Sequence, residues 1–132
     1  MKVLMLGATG YLGSNIVHAL NDNGHETTCI IRQNSRLGNI EGLDGVKFLM
    51  NNSEAIEKEL AENHYDWVIN SVCIYRQNDS LYWDMFDANL IFPLKVLNLA
   101  AKYHVKNYMN MGTSLPDGFN MYSFSKARLS EL

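Results

Sequence analysis

The chain has 132 residues, 47% hydrophobic and 19% charged, which fits one globular domain and excludes disordered, collagenous and disulfide-rich classes. A net charge of -3, with Lys and Arg scattered, offers no footprint for a phosphate backbone and argues against nucleic-acid binding. Glycines break the apolar start MKVLMLGATG short of a secretory signal and no apolar run is long enough to span a bilayer, so a cytoplasmic protein without a membrane partner is expected.

Val3 to Leu6 reads as a strand that ends in glycines. Leu12, Ile16, Val17 and Leu20 then recur at helical spacing up to the stop signal Asn23-Gly24. Thr27 to Ile31 and Val46 to Met50 are β-rich runs on either side of the loop-like GNIEGLDG. Ser53 is expected to cap a helix that carries Ile56 and Leu60 on one face, with Glu54 and Glu57 in its first turn, where the helix dipole favours acids.

Asp66 to Asn70 gives a fourth strand and Asn107 to Met111 a fifth. Between them, Leu81, Met85, Ala88, Phe92, Val96, Leu99 and Tyr103 stand three and four apart, which predicts one long helix or a pair kinked at Pro93. Strands that are nearly continuous apolar runs and alternate with helices indicate an α/β protein with a parallel sheet covered on both faces. Cys29 and Cys73 lie in apolar, strand-like contexts and are expected to be buried reduced thiols.

The first strand runs directly into Gly7-x-x-Gly10-x-x-Gly13, which opens the first helix. The first glycine permits the tight turn, the second lets backbone amides approach a pyrophosphate, and the third lets helix pack on strand. The helix N-terminus then holds the negative charge. Past the second strand, where an acid would bind a ribose 2'-hydroxyl, the chain has Arg32 and Arg36 and no acid. An arginine fork suits a 2'-phosphate, so NADP(H) is favoured, with NAD(H) possible.

Tyr122 and Lys126 are four apart on the last helix and share a face, and Thr113 follows the fifth strand. The Tyr-x-x-x-Lys spacing is common by chance, but ligands of open α/β sheets bind beyond the carboxyl ends of strands, where Thr113 falls. A nearby ammonium is expected to lower the phenol's pKa and make Tyr122 a general acid or base, with the Thr113 hydroxyl bonding a carbonyl oxygen.

Gly7-Ala8-Thr9-Gly10-Tyr11-Leu12-Gly13, Asp66 to Asn70, Asn89, Thr113 and Tyr122-Ser123-Phe124-Ser125-Lys126 together resemble the extended short-chain dehydrogenases/reductases, the NAD-dependent epimerase/dehydratase group acting on nucleotide sugars. The resemblance implies a Rossmann-type doubly wound parallel sheet of about five strands, a single NAD(P)-binding domain over 1–132. It implies Tyr122 as acid/base, Lys126 holding the nicotinamide ribose, and Thr113 orienting the substrate oxygen. It places Gly7, Thr9, Gly10, Tyr11, Leu12, Gly13, Arg32, Arg36, Asn70, Asn89 and Lys126 at the cofactor. For Asn89 a helix-kink role stands beside that one. Asn51 and Asn52 occupy the place where the family usually has an aspartate beside the adenine.

Ser114-Leu115 follows Thr113 where sugar-nucleotide dehydratases carry Asp-Glu, so dehydration is not expected. The short TSLPDGFNMYSFSK segment, the ANLIFPLKVL helix and Arg32 resemble CDP-abequose synthase-like reductases, which implies reduction of a keto group on a nucleotide-linked deoxysugar with NADPH. An NAD-dependent epimerase and a non-enzymatic NADP(H)-binding regulator remain as alternatives.

Family members are about twice this length, so the chain is expected to be the cofactor half of an enzyme, truncated before its substrate portion and inactive alone. The resemblance also implies a homodimer through the long helix and the Tyr122 helix; Phe86, Leu90, Leu94 and Leu97 either supply that seam or face the sheet. Tyr75, Tyr82, Trp83 and Phe86 read as core or dimer contacts and Asp84 and Asp87 as solvated charges. His18, His25, His64 and His104 lack metal-ligand spacing.

Overall fold

A computed structural model describes residues 1–75 and 82–132. Leu81, the expected start of the long helix, lies outside the described residues. Five parallel strands, β1 (Lys2–Leu6), β2 (Glu26–Ile31), β3 (Val46–Met50), β4 (Trp67–Asn70) and β5 (Asn107–Asn110), form one sheet in the order β3-β2-β1-β4-β5. The helices are α1 (Tyr11–Asp22), α2 (Ser53–Glu62), α3 (Tyr82–Phe86), α4 (Phe92–Lys102) and α5 (Met121–Ser130).

β1 shows why its sequence is an unbroken apolar run. Leu4 and Leu6 join one core with Ile56, Leu60, Tyr65, Val68, Val96 and Ala100, while Val3 and Met5 join another with Val17, Cys29, Ile40 and Ile69. A strand buried on both faces has no solvent side to alternate with. The Gly-rich stretch before β3 contains a single 3-10 turn, Gly38–Ile40, whose Ile40 plugs the second core.

Helix ends follow local chemistry. α1 stops where Gly24 takes φ 71° and donates to the Asn21 carbonyl. α2 is capped one residue earlier than expected: the Asn52 side chain accepts from the Ala55 amide at 3.1 Å, and Ser53 is already helical. Its Glu57 pairs with Lys102 of α4 at 2.6 Å, tying the two helices together across their exposed edge.

Of the two expected forms, one long helix or a pair kinked at Pro93, the chain adopts the interrupted one. Asp87–Ile91 forms a π turn in which the Phe92 amide donates to the Asp87 carbonyl, five residues back. Pro93, at the start of α4, has no amide, and its ring would strike the Asn89 carbonyl in a regular helix; the wider turn relieves both problems. The turn also carries Asn89 into the interior, where it is fully buried.

Register fixes where the site lies. Leu6 pairs with Ile30 on one side and Asn70 on the other, and Asn70 pairs with Asn110. The glycine turn, the Arg32 loop, the segment after β4 and the Thr113 loop therefore leave the same edge of the sheet. The chain reverses direction across the sheet between β1 and β4, the place where open α/β sheets form their binding crevice.

Candidate active site

The glycine turn is shaped by close approach. A Cβ on Gly13 would lie 2.1 Å from the Gly7 carbonyl oxygen, and one on Gly7, which has φ 80°, would lie 2.7 Å from the Val72 amide. Both positions require glycine for backbone packing. Gly10 differs: a Cβ there would meet only the Gly7 oxygen, at 3.4 Å. No side chain caps α1 at Gly10, so the first amides of α1 have no side-chain partner there. That uncapped helix start, with room kept clear beside Gly10, fits a pyrophosphate. Thr9, Tyr11 and Leu12 are all solvent-facing around it, Tyr11 at 90% exposure.

Beyond β2 the Arg32 amide donates to Ser35 Oγ at 2.9 Å and the Ser35 amide to the Arg32 carbonyl at 2.9 Å, closing a turn. Arg32, Gln33 and Asn34 line an open hollow of about 320 Å³. Arg32 and Arg36 are exposed, and neither forms an ion pair among the described residues.

The segment after β4 forms the centre of the site. Asn70 is fully buried; its Oδ1 accepts from the Val72 amide at 3.1 Å and its Nδ2 donates to Asn110 Oδ1 at 2.8 Å. Ser71 Oγ donates to the Leu6 carbonyl at 3.0 Å, next to the glycine turn. Asn89 brackets Ile74, accepting its amide at 2.8 Å and donating to its carbonyl at 3.1 Å, and reaches Ser125 Oγ at 3.2 Å. Asn70 and Asn89 thus act on the protein's own backbone, and Asn89 joins the π turn to α5.

α5 presents Tyr122, Ser123, Ser125, Lys126 and Leu129 inward. A capping box starts it, with Asn120 accepting from the Ser123 amide at 2.8 Å while Ser123 Oγ accepts from the Asn120 amide at 3.1 Å. The Lys126 ammonium, 2% exposed, donates to the Val72 carbonyl at 3.2 Å, and burial pushes its pKa down. Tyr122 Oη lies 3.7 Å from Cys73 Sγ, and its ring stacks on Tyr75 with centroids 4.5 Å apart.

Tyr122 and Lys126 share the buried face, as expected from their spacing, but the expected lowering of the phenol's pKa is reversed. Burial first, then Tyr75 and Cys73, push Tyr122 up. The ammonium is turned to Val72, so its charge is not directed at the phenol. Thr113 sits in the loop between β5 and α5. Its hydroxyl accepts the Leu115 amide at 3.2 Å, and Arg128 draws the same loop onto α5 by pairing with Asp117.

Two site residues escaped the sequence. Cys73, expected to be buried, is exposed beside the phenol, and Tyr75 was grouped with the aromatics of the following helix. Their place directly after a strand at the crevice was the available signal. Tyr82 and Trp83 are 52% and 67% exposed, so they are surface residues of α3.

Residues 3–118 match the NAD dependent epimerase/dehydratase family. Among curated proteins, the chain is 30% identical over 110 residues to CDP-abequose synthase of Salmonella typhimurium, covering 82% of this chain and 36% of that protein. It is 27% identical over 128 residues to UDP-glucose 4-epimerase of Caenorhabditis elegans, covering 83% of this chain and 37% of that one. The Bordetella bronchiseptica enzyme WbmH, solved in complex with NAD+, superposes with a TM-score of 0.86 at 17% identity, over 98% of this chain and 50% of WbmH. The chain spans little more than a third of the curated relatives it matches. No described helix is long and apolar enough to cross a membrane.

Proposed function

The chain belongs to the NAD-dependent epimerase/dehydratase family, and from that premise we propose that its complete form is an NADP(H)-dependent oxidoreductase reducing a keto group of a nucleotide-linked deoxysugar. The observation that carries this reading is the placement of Tyr122: it lies on the buried face of α5 with Lys126, its hydroxyl against the segment after β4 that Lys126 and Asn89 hold. A phenol can give its proton to a carbonyl oxygen, as reduction of a carbonyl requires.

A reduced nicotinamide, when bound, supplies the hydride. Tyr122 gives its Oη proton to the carbonyl oxygen and recovers one from solvent. Lys126 has one ammonium donor on Val72 and two left for a ribose. Thr113, released from Leu115, would orient the substrate oxygen. Gly7, Gly10 and Gly13 with the first amides of α1 take the pyrophosphate, and Arg32, which lines the hollow beyond β2, takes a 2'-phosphate together with the exposed Arg36. The exposed Trp83 of α3 and Phe124 of α5, at 67% and 37%, support a homodimer through these helices. Sedimentation of the complete protein at twice the monomer mass is expected; a monomer at micromolar concentration refutes it.

The test is consumption of NADPH by the complete protein with a 4-keto-6-deoxy nucleotide sugar. Arg32→Ala is expected to weaken NADPH about tenfold while leaving NADH unchanged, a loss of about 1.4 kcal/mol. Equal losses for both cofactors would remove the 2'-phosphate assignment. The second reading, an NAD-dependent C4 epimerase, draws on the likeness to UDP-glucose 4-epimerase. It predicts interconversion of C4 epimers with no net use of added NADPH.

A further inference from the structure

Resting on the assignment of Tyr122 as the proton donor, we propose that Cys73 and Tyr75 are positioning residues for it: together they fix where its hydroxyl points and cover one face of its ring. The segment 71–75 leaves β4 with alternate residues treated differently. Val72 is held at both backbone groups, its amide by Asn70 Oδ1 at 3.1 Å and its carbonyl by Lys126 Nζ at 3.2 Å. Ile74 is held at both by Asn89, at 2.8 and 3.1 Å. The three side chains that do this are among the most buried polar groups of the protein, at 0%, 0% and 2% exposure.

Clamping Val72 and Ile74 leaves Cys73 and Tyr75 to meet Tyr122, the thiol at 3.7 Å from Oη and the ring at 4.5 Å between centroids. Neither contact is core packing, since Cys73 is exposed and Tyr75 is 64% exposed. The thiol donates weakly to the phenol oxygen, which fixes the hydroxyl without an ionic partner and leaves its hydrogen free for the crevice. The stacked Tyr75 ring restricts sway of the Tyr122 ring. Both residues act through Tyr122, and the backbone clamp that aims them includes Lys126 itself.

Two measurements on the complete protein test this. The infrared S–H stretch of Cys73, assigned by its loss in Cys73→Ala, is expected to move when Tyr122→Phe removes the phenol oxygen. Cys73→Ala and Tyr75→Ala are each expected to lower kcat about tenfold with the cofactor KM unchanged. Cys73→Ala is also expected to bring the alkaline limb of the rate profile to lower pH, and Cys73→Ser to recover most of the rate. An S–H band indifferent to Tyr122→Phe, or variants with the wild-type kcat and alkaline limb, overturns the proposal. If the wild-type complete protein turns nothing over, the proton-donor assignment fails, and the S–H band separately decides whether thiol and phenol are paired.

Discussion

Tyr122 and Lys126 sit four residues apart on one buried face, yet each head group is bound to the segment after β4. Spacing on a helix determines which face two side chains share. It leaves undetermined what each polar tip touches, and here the tips decide the chemistry: the ammonium bonds a carbonyl and the phenol meets a thiol and a second ring. Tyr122→Phe in the complete protein is expected to cut turnover at least about a hundredfold and leave the cofactor dissociation constant within twofold. A turnover that survives the change, measured with saturating cofactor, would remove Tyr122 from the chemistry. Asn89→Ala is expected to cost about 2–4 kcal/mol in urea unfolding, because it strips partners from both backbone groups of Ile74 and from Ser125. A cost under about 1 kcal/mol would show that water replaces the amide there.

At the scale of elements, the strands and the glycine turn were legible because continuous apolar runs and glycine spacing report burial and close approach directly. The π turn was not. Hydropathy at positions three and four apart continues unbroken through Pro93, and only the missing amide and the ring's clash with the Asn89 carbonyl force the extra residue. The same insertion brings Asn89 into the interior, where it holds Ile74 and Ser125, contacts that periodicity could not show. The Thr113 loop follows β5 as expected, but the Arg128 pairing with Asp117 that shapes it is non-periodic and left no sequence signal.

The turn after β1 gives a sharper comparison, because its three glycines serve different ends. Gly13→Ala puts a Cβ 2.1 Å from the Gly7 oxygen and is expected to cost on the order of 3 kcal/mol of stability. Gly10→Ala meets nothing nearer than 3.4 Å and is expected to leave the melting temperature within about 2 °C, while weakening cofactor binding about tenfold by filling the clear space at the start of α1. Calorimetry and a cofactor titration on the pair separate packing from binding. Two variants that lose stability equally would show that the turn is structural throughout.

Over the whole molecule, burial acts on several weak acids in the same direction. Cys29, in the core under α1, is pushed from 9.0 up to about 12 by burial. Burial also raises Tyr65, whose hydroxyl lies 2.6 Å from both Thr28 Oγ1 and Glu59 Oε1, and Tyr108 and Tyr122. A group whose folded pKa is raised stays protonated in the fold where the unfolded chain has already ionised. Its contribution is complete below the unfolded value and is lost as pH rises through the folded one. For Cys29 that window runs from about pH 9 to about pH 12. Urea unfolding under reducing conditions is therefore expected to show stability falling across this range, with Cys29 contributing at most about 1.4 kcal/mol per pH unit. Cys29→Ala is expected to be less stable at pH 7, from the lost packing, and to fall with a shallower slope above pH 9. Slopes that coincide would mean the Cys29 thiol ionises equally in the folded and unfolded chain, and that the core under α1 opens to hydroxide before the rest of the sheet gives way.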